Sequence, residues 1–412
     1  MAKFLIISKH NVYGIFWCYY PPCLAYSRAT IHFKVCDVKT QSFLSSRNIG
    51  LDLLRAGLIL EGVLLHASRS LPGENGWYYV AQRDPSEIFT ALLSMFHTFR
   101  MEVFFFLSGM FSALIILRKG QKFFTDNRRK RVFIPLISAY IFIPPLMYFI
   151  AGQINNTPYT LTGWLNSYTM MHHLWFLVSL TVMSLVIPGP FYHWSARQLG
   201  KMSLPMLIAT LVILGNACFV LKFVVKGRGE FVELIPITLR FMVYYTAGFA
   251  LYVNREKIAR YANSKLMNGW LIGALVLAVW ATCWYVAHNH INGVVKYVPV
   301  MIGSVLSAML SYWLVFTFER IKVKENRILT AIVDSALIIY LLHYPVVVSF
   351  SWLLDVWLPD NLSVLYVLLD FAIGIALSAV CYTLVKRSRF ASFMFGLKPK
   401  EKKEAVPVEA RL

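Results

Sequence analysis

Charged side chains are scarce in this chain of 412 residues: Asp, Glu, Lys and Arg make up 15% of it, against 58% hydrophobic residues, and the mean hydropathy is +0.58. A soluble domain of this size is excluded, while a helical protein that crosses a membrane many times fits. Acid is the scarcer sign, with 20 Asp and Glu against 40 Lys and Arg, a net charge of +20. In a membrane chain that excess belongs first to topology, since cytoplasmic loops collect Lys and Arg. The lack of a soluble basic surface excludes nucleic acid as a partner. Cysteine is sparse as well. Cys18, Cys23, Cys36, Cys218, Cys283 and Cys381 form no CxxC and no metal-ligand spacing, so neither a zinc site nor a disulfide framework is indicated and no metal is expected. HExxH, GxSxG and GxxxxGK(S/T) are also missing, which argues against a zincin, a serine hydrolase of the usual type and a P-loop pump. There is no internal repeat, heptad run or low-complexity block.

What is there is a series of apolar runs. Residues 1–46 mix Lys3, Lys9, Arg28 and Lys34 with aromatic clusters and the pair Pro21 and Pro22. Lys9 and His10 interrupt the apolar run, so this stretch is a poor signal peptide and reads as a poorly ordered N-terminal extension. An all-α transmembrane domain is expected over 47–390, a bundle of about ten helices at 49–68, 88–117, 132–151, 170–188, 204–225, 235–253, 268–288, 297–318, 330–352 and 363–386. A basic tail, 391–412, follows. Loops 118–131, 189–203, 254–267 and 319–329, with the tail from Lys386, carry 25 Lys and Arg; the alternate set carries 6. That asymmetry puts the first set and both termini in the cytoplasm.

The first span carries Asp52, Arg55, Glu61 and His66. A charge near a bilayer centre costs roughly 2.5–3.5 kcal/mol on insertion scales, and such residues face a bundle interior. Arg55 and His66 are eleven positions apart, which is three helical turns plus about 20°, so they share a face about 16 Å apart along the axis. Asp52 shares it, one turn from Arg55. With the orientation above, His66, His97 with Arg100, His172 with His173, and His343 all fall toward the outer side. A lone intramembrane histidine is commonly a hydrogen-bonded packing residue. Four helices bringing imidazole to one layer suggest acid–base work near neutral pH. On the inner side Arg118, Lys119, Lys122, Arg128, Arg129, Lys130 and Arg131 crowd fourteen residues before Pro135. They read either as a positive-inside anchor or as a landing place for a polyanion, since Arg forks suit phosphate oxygens.

Five motifs in order carry a resemblance. They are Arg-x10-His at Arg55 and His66, HisThrPheArgMetGluValPhePhePheLeuSerGlyMetPheSer at 97–112, Arg-x2-Arg at Arg128 and Arg131, HisLeuTrpPheLeu at 173–177, and IleTyrLeuLeuHisTyrPro at 339–345. Over roughly 47–400 the chain resembles the acyltransferase-3 family of integral membrane acyltransferases. Within it, the chain looks most like the branch linked to succinylation of osmoregulated periplasmic glucans. Three features depart from that pattern: residues 1–46 have no counterpart, Glu102 stands where a neutral amide is expected, and Tyr344 replaces a second histidine after His343.

The resemblance implies transfer of an acyl group from cytoplasmic acyl-CoA, here succinyl-CoA, to sugar hydroxyls outside a bacterial inner membrane. The acyl-CoA is a co-substrate and no cofactor is bound. The partners are the lipid bilayer, a periplasmic glucan or other envelope carbohydrate, and glucan-synthesis proteins. Arg55 and His66 become the catalytic pair, with His343, His97 and Arg100 beside them. Arg128 and Arg131, with Lys122 and Arg118, take the donor. His173, Glu102 and Trp175 stand on the acceptor side, and Ser108 and Gly109 line a close helix approach. Arg100 could meet the carboxylate of a succinyl group. The plainer readings are an Asp52–Arg55 pair within one helix, Arg100 snorkelling to the interface and Trp175 as an interface anchor. Two rivals remain: an O-acetyltransferase of another envelope polysaccharide or glycoside, and a proton- or anion-coupled transporter. The internal repeats that transporters often show are absent.

Overall fold

The computed structural model describes residues 43–44, 48–72, 78–84 and 86–397. Most of the expected N-terminal extension, 1–46, and the tail beyond 397 lie outside the described residues. The described residues contain no strand. The helices are α1 (Ile49–Ser68), α2 (Glu87–Arg128), α3 (Ile134–Asn155), α4 (Leu161–Ser167), α5 (Trp175–Thr181), α6 (Gly189–Leu199), α7 (Leu204–Val225), α8 (Glu230–Val253), α9 (Arg255–Ala259), α10 (Gly269–His288), α11 (Val298–Arg320), α12 (Arg327–Trp357), α13 (Ser363–Val385) and α14 (Arg389–Met394). Eight helical segments among the described residues are long and apolar enough to cross a membrane. One of them, Glu87–Asn155, is a single run of 69 residues that holds two of the expected spans. α1 is long enough, but Asp52, Arg55 and Glu61 take it out of the eight on composition.

Two expectations need correction. The basic stretch 118–131 is helical rather than a loop. α2 bends at Gly120, whose φ of +83° suits only a residue without Cβ, and resumes as helix through Arg128. A π-helical turn, Arg129–Phe133, then leads into α3. Pro135 comes just after this π turn within the continuous helix, where the widened turn accommodates its missing N–H. The expected span 170–188 overlaps the candidate span Leu161–Val186 but is not regular α-helix throughout: a 3₁₀ turn (His172–Leu174) precedes α5, and a π turn (Val182–Val186) follows it. His172 itself is left-handed, with φ of +47°, so the chain enters this segment through a sharp bend.

α2 is the hub. Residues 98–110 are all buried, as expected of a helix that is apolar on every side. It packs on α8, α11, α10 and α1. The α2–α8 crossing is reciprocal. A Cβ on Gly109 would lie 1.8 Å from the Tyr245 carbonyl oxygen, and one on Gly248 would lie 1.8 Å from that of Phe106. Neither glycine can grow without parting the helices, the small-residue contact that membrane helices use in place of a hydrophobic driving force. α1 packs on α12 and α13, where Val63, Ala67, Ile339, Val347 and Val367 form a second apolar cluster. The connection before α2 is tied down by Arg83. Its Nε meets Asp355 Oδ1 at 2.6 Å, and its Nη atoms donate to the carbonyls of Leu354, Leu358 and Pro359, capping the C-terminal end of α12.

Candidate functional site

Three imidazoles meet at one end of α1. His66 closes α1, His343 projects from α12, and His173 enters from the 3₁₀ turn ahead of α5. Ring centroids are 5.1 Å apart for His66–His343, 5.2 Å for His173–His343 and 6.1 Å for His66–His173. His343 and His173 are buried, and His66 is half-buried. Tyr344 stacks on His173 at 4.7 Å and stands 5.2 Å from His66. Tyr340 lies 5.0 Å from His343 and 5.5 Å from His173. The three imidazoles meet edge to face, and no set of His, Cys, Asp or Glu among the described residues has the geometry of a metal site.

Backbone carbonyls set two of the tautomers. His343 Nδ1 lies 2.6 Å from the Tyr340 carbonyl, and His173 Nε2 lies 3.1 Å from that of Leu341. A carbonyl only accepts, so both ring nitrogens must carry hydrogen, leaving His343 Nε2 and His173 Nδ1 with bare lone pairs. Both bare nitrogens are buried and have no hydrogen-bond partner among the described residues. The Leu341 carbonyl is available for a reason visible in the chain. In a regular helix it would accept from the N–H of residue 345, but that residue is Pro345, which has none. The proline in HisTyrPro thus frees an acceptor, and His173 of a distant segment occupies it.

Arg100 adjoins this cluster. It is 3% exposed and lies against Gly62 of α1, where a Cβ would meet its Nη1 at 2.3 Å and Tyr340 Cε2 at 2.6 Å. On the rim, His172 Nδ1 and the Tyr78 hydroxyl are 2.9 Å apart. Burial, with a smaller contribution from Glu230, pushes the Tyr78 phenol up to about 12, so it stays protonated and donates.

Not every expected residue joins. His97 makes no ring contact with the other histidines among the described residues: it is the last exposed position before the buried stretch of α2, one turn before Arg100 and near enough to feel its charge. Arg55 stands at the opposite end of α1, over the Phe111 ring at 4.9 Å, with Asp52 at 4.0 Å. It is therefore not in contact with His66, because the helical rise that puts them on one face also separates them. Glu102 is buried in a 2.6 Å ion pair with Arg240 of α8, and Trp175 stacks on Phe241 at 5.6 Å, so both hold α8 in place.

The donor-side residues divide. Arg128 turns inward: its Nη2 donates to Ser112 Oγ at 3.0 Å, which also accepts from the Tyr245 hydroxyl at 2.7 Å. Arg131 is half-buried, and Arg118 and Lys122 are exposed. Lys122 lines an open groove with Lys119, Phe123, Asp126, Asn127 and Lys130. Pro345, Gly62 and Tyr340 take roles at the site that sequence patterns did not suggest. A proline four residues after Leu341 was the one signal that pointed to such a freed carbonyl.

An apolar helical bundle with a buried acid–base cluster at one end and arginines at the other fits an enzyme that works within a membrane. Comparison with known proteins agrees: the acyltransferase-3 family, described as an acyltransferase domain, matches residues 48–383, and the chain belongs to that family. It is a polytopic membrane O-acyltransferase. Among individual proteins it is similar to glucans biosynthesis protein C of Salmonella typhimurium, at 27% identity over 384 residues, which covers 87% of this chain and 97% of the relative. The proteins of that name from Salmonella agona and Salmonella typhi match at the same identity and coverage. No solved structure matches.

Proposed function

We propose that this enzyme moves a succinyl group from acyl-CoA on the cytoplasmic side of a bacterial inner membrane to a hydroxyl of a periplasmic glucan. The observation that carries the reading is the imidazole cluster: buried ring nitrogens with open lone pairs at one end of α1, and Arg55 with the buried Arg128 toward the other. The chain then crosses the membrane ten times, with α1 counted and Glu87–Asn155 counted as two spans, and both termini face the cytoplasm.

The nucleotide of acyl-CoA rests on the basic helix at 118–131, with Arg128 and Arg131 nearest the bundle. Its pantetheine arm carries the thioester to the histidines. His66 takes the proton of the sugar hydroxyl as that oxygen attacks the thioester carbonyl. The new C–O bond forms, the C–S bond breaks, and the departing CoA sulfur takes up the proton. General-base help of this kind is worth about 10²–10⁴ in rate. His173 and His343, locked in their tautomers, offer acceptors to neighbouring hydroxyls of the sugar without competing as donors.

The test supplies membranes with labelled succinyl-CoA and neutral glucan and follows negatively charged product. His66→Ala at unchanged protein level is expected to lose at least a hundredfold in rate, within the range for such a base; full activity would remove the assignment. Arg128→Ala combined with Arg131→Ala is expected to raise the apparent KM for acyl-CoA and leave that for glucan alone.

A further inference from the structure

Arg100 is a buried cation that forms no ion pair among the described residues, although Glu61 and Glu102 lie near enough to feel its charge. It is 3% exposed, its Nε and Nη1 have no hydrogen-bond partner there, and no carboxylate of those residues lies within ion-pairing distance of it. Its neighbour in charge, Glu102, is engaged with Arg240 instead. Glu61, one position before Gly62, makes no ion pair with it either and leaves its own Oε1 unpartnered. A guanidinium that is buried and half-satisfied is costly to keep in a protein interior, so its position calls for a ligand.

The surroundings say what kind. Arg100 lines a tight cleft of about 10 Å³, room for a single water, with Leu58, Ile59, Met101, Phe104, Phe176 and Tyr340. Apart from Arg100 and the Tyr340 hydroxyl, these walls are hydrocarbon and aromatic. Tyr340 borders the cleft on one side and the histidines on the other, 5.0 Å from the His343 ring. Gly62 makes the arrangement possible, because any side chain there would collide with both Arg100 and Tyr340. An unpartnered cation in apolar surroundings, next to the acid–base cluster, suits the carboxylate end of a short acyl chain.

We infer that Arg100 meets the distal carboxylate of the donor's acyl group beside the histidine cluster, and so selects dicarboxylic acyl groups over neutral ones. The inference rests on the acyl-transfer reading above and extends it to specificity. The carboxylate accepts from Arg100, the methylenes pass Tyr340, and the thioester carbonyl is left toward the histidines. A neutral acyl group of the same length leaves the guanidinium donors unpaired, the situation in which polar sites discriminate most strongly. Arg100 is thus a specificity residue, and His66 remains the base.

The experiment compares succinyl-CoA with butyryl-CoA, an uncharged acyl group with the same number of carbons, in both binding and transfer to neutral glucan by the full-length protein in membranes. Wild type is expected to favour succinyl-CoA in kcat/KM by about a hundredfold or more. Arg100→Leu is expected to bring the ratio of kcat/KM for the two donors to within a few-fold of one. Gly62→Ala, which displaces the guanidinium without removing it, is expected to shrink the preference in the same direction. Equal loss for both donors in Arg100→Leu would overturn the inference, as would an unchanged preference. A change confined to the KM of already succinylated glucan would overturn it too, by assigning Arg100 to the acceptor. The binding arm separates the two levels. Arg100-dependent binding of succinyl-CoA without any acylated glucan would defeat the proposed function and leave the role of Arg100 intact. Acylated glucan with no Arg100-dependent discrimination would do the reverse.

Discussion

At the scale of single residues, Pro345 shows how a defect in a helix can serve a site. An interior proline costs a helix about 3 kcal/mol and a backbone hydrogen bond. Here the orphaned Leu341 carbonyl receives His173 Nε2 from a segment 168 positions away in sequence. Pro345→Ala would restore the N–H and return that carbonyl to α12. The expected outcome is opposed in sign: thermal stability in detergent equal to or above wild type, with acyl transfer down by about tenfold or more, the size of effect a misplaced catalytic group produces. A variant that kept full activity would show that the Leu341 contact does not position the ring. The same loss of a helical donor occurs in α3, where Pro145 leaves the Ile141 carbonyl to the Tyr168 hydroxyl at 3.2 Å.

At the scale of elements, the crossing of α2 and α8 decides whether the site exists. Gly109 and Gly248 bring the backbones together, and two ties flank that contact: Glu102 with Arg240, and Tyr245 with Arg128 through Ser112. Gly109→Val is expected to destabilise the protein by at least the roughly 1–3 kcal/mol of an overpacked core, read as a lower unfolding temperature in detergent. Gly57→Ala is the matched control. A methyl group added at that helical glycine would meet nothing within 4 Å, and the change is expected to be neutral or stabilising by up to about 1 kcal/mol. Equal destabilisation by both would mean that helix propensity, and not the crossing, governs the response. The basic segment belongs to this scale too. It reads as a loop from its charge, yet a bend at Gly120 lets it continue as helix. Arg128 then points back into the bundle while Lys122 and Lys130 line the open groove.

At the scale of the whole molecule, the proposed reaction runs along one axis. Cationic groups for the donor lie at one end and imidazoles for the acceptor at the other, so the two ends must face opposite compartments. Single cysteines placed in 118–131 and in 289–296 are expected to react with a membrane-impermeant reagent from opposite sides, the first only after the cytoplasmic face is opened. Labelling of both from the same side would end the transfer-across-the-membrane reading, whatever the histidines do.

Composition and spacing alone settle the class of molecule and the inventory of its chemistry. Apolar runs long enough for a bilayer are a local property, which is why α1 and α7 begin and end where periodicity and composition put them. Spacing along one helix likewise places Arg55 and His66 on a common face. Which polar residues meet is settled by packing between distant segments. His66, His173 and His343 come from three elements, and whether each reaches the cluster depends on helix crossings, a 3₁₀ turn and a freed carbonyl that no single stretch encodes. His97 makes no ring contact with them, although it stands one turn before Arg100 on α2. Arg100 is kept from an ion pair by packing too: the α2–α8 crossing gives Glu102 to Arg240, and Gly62 gives Arg100 its place against α1.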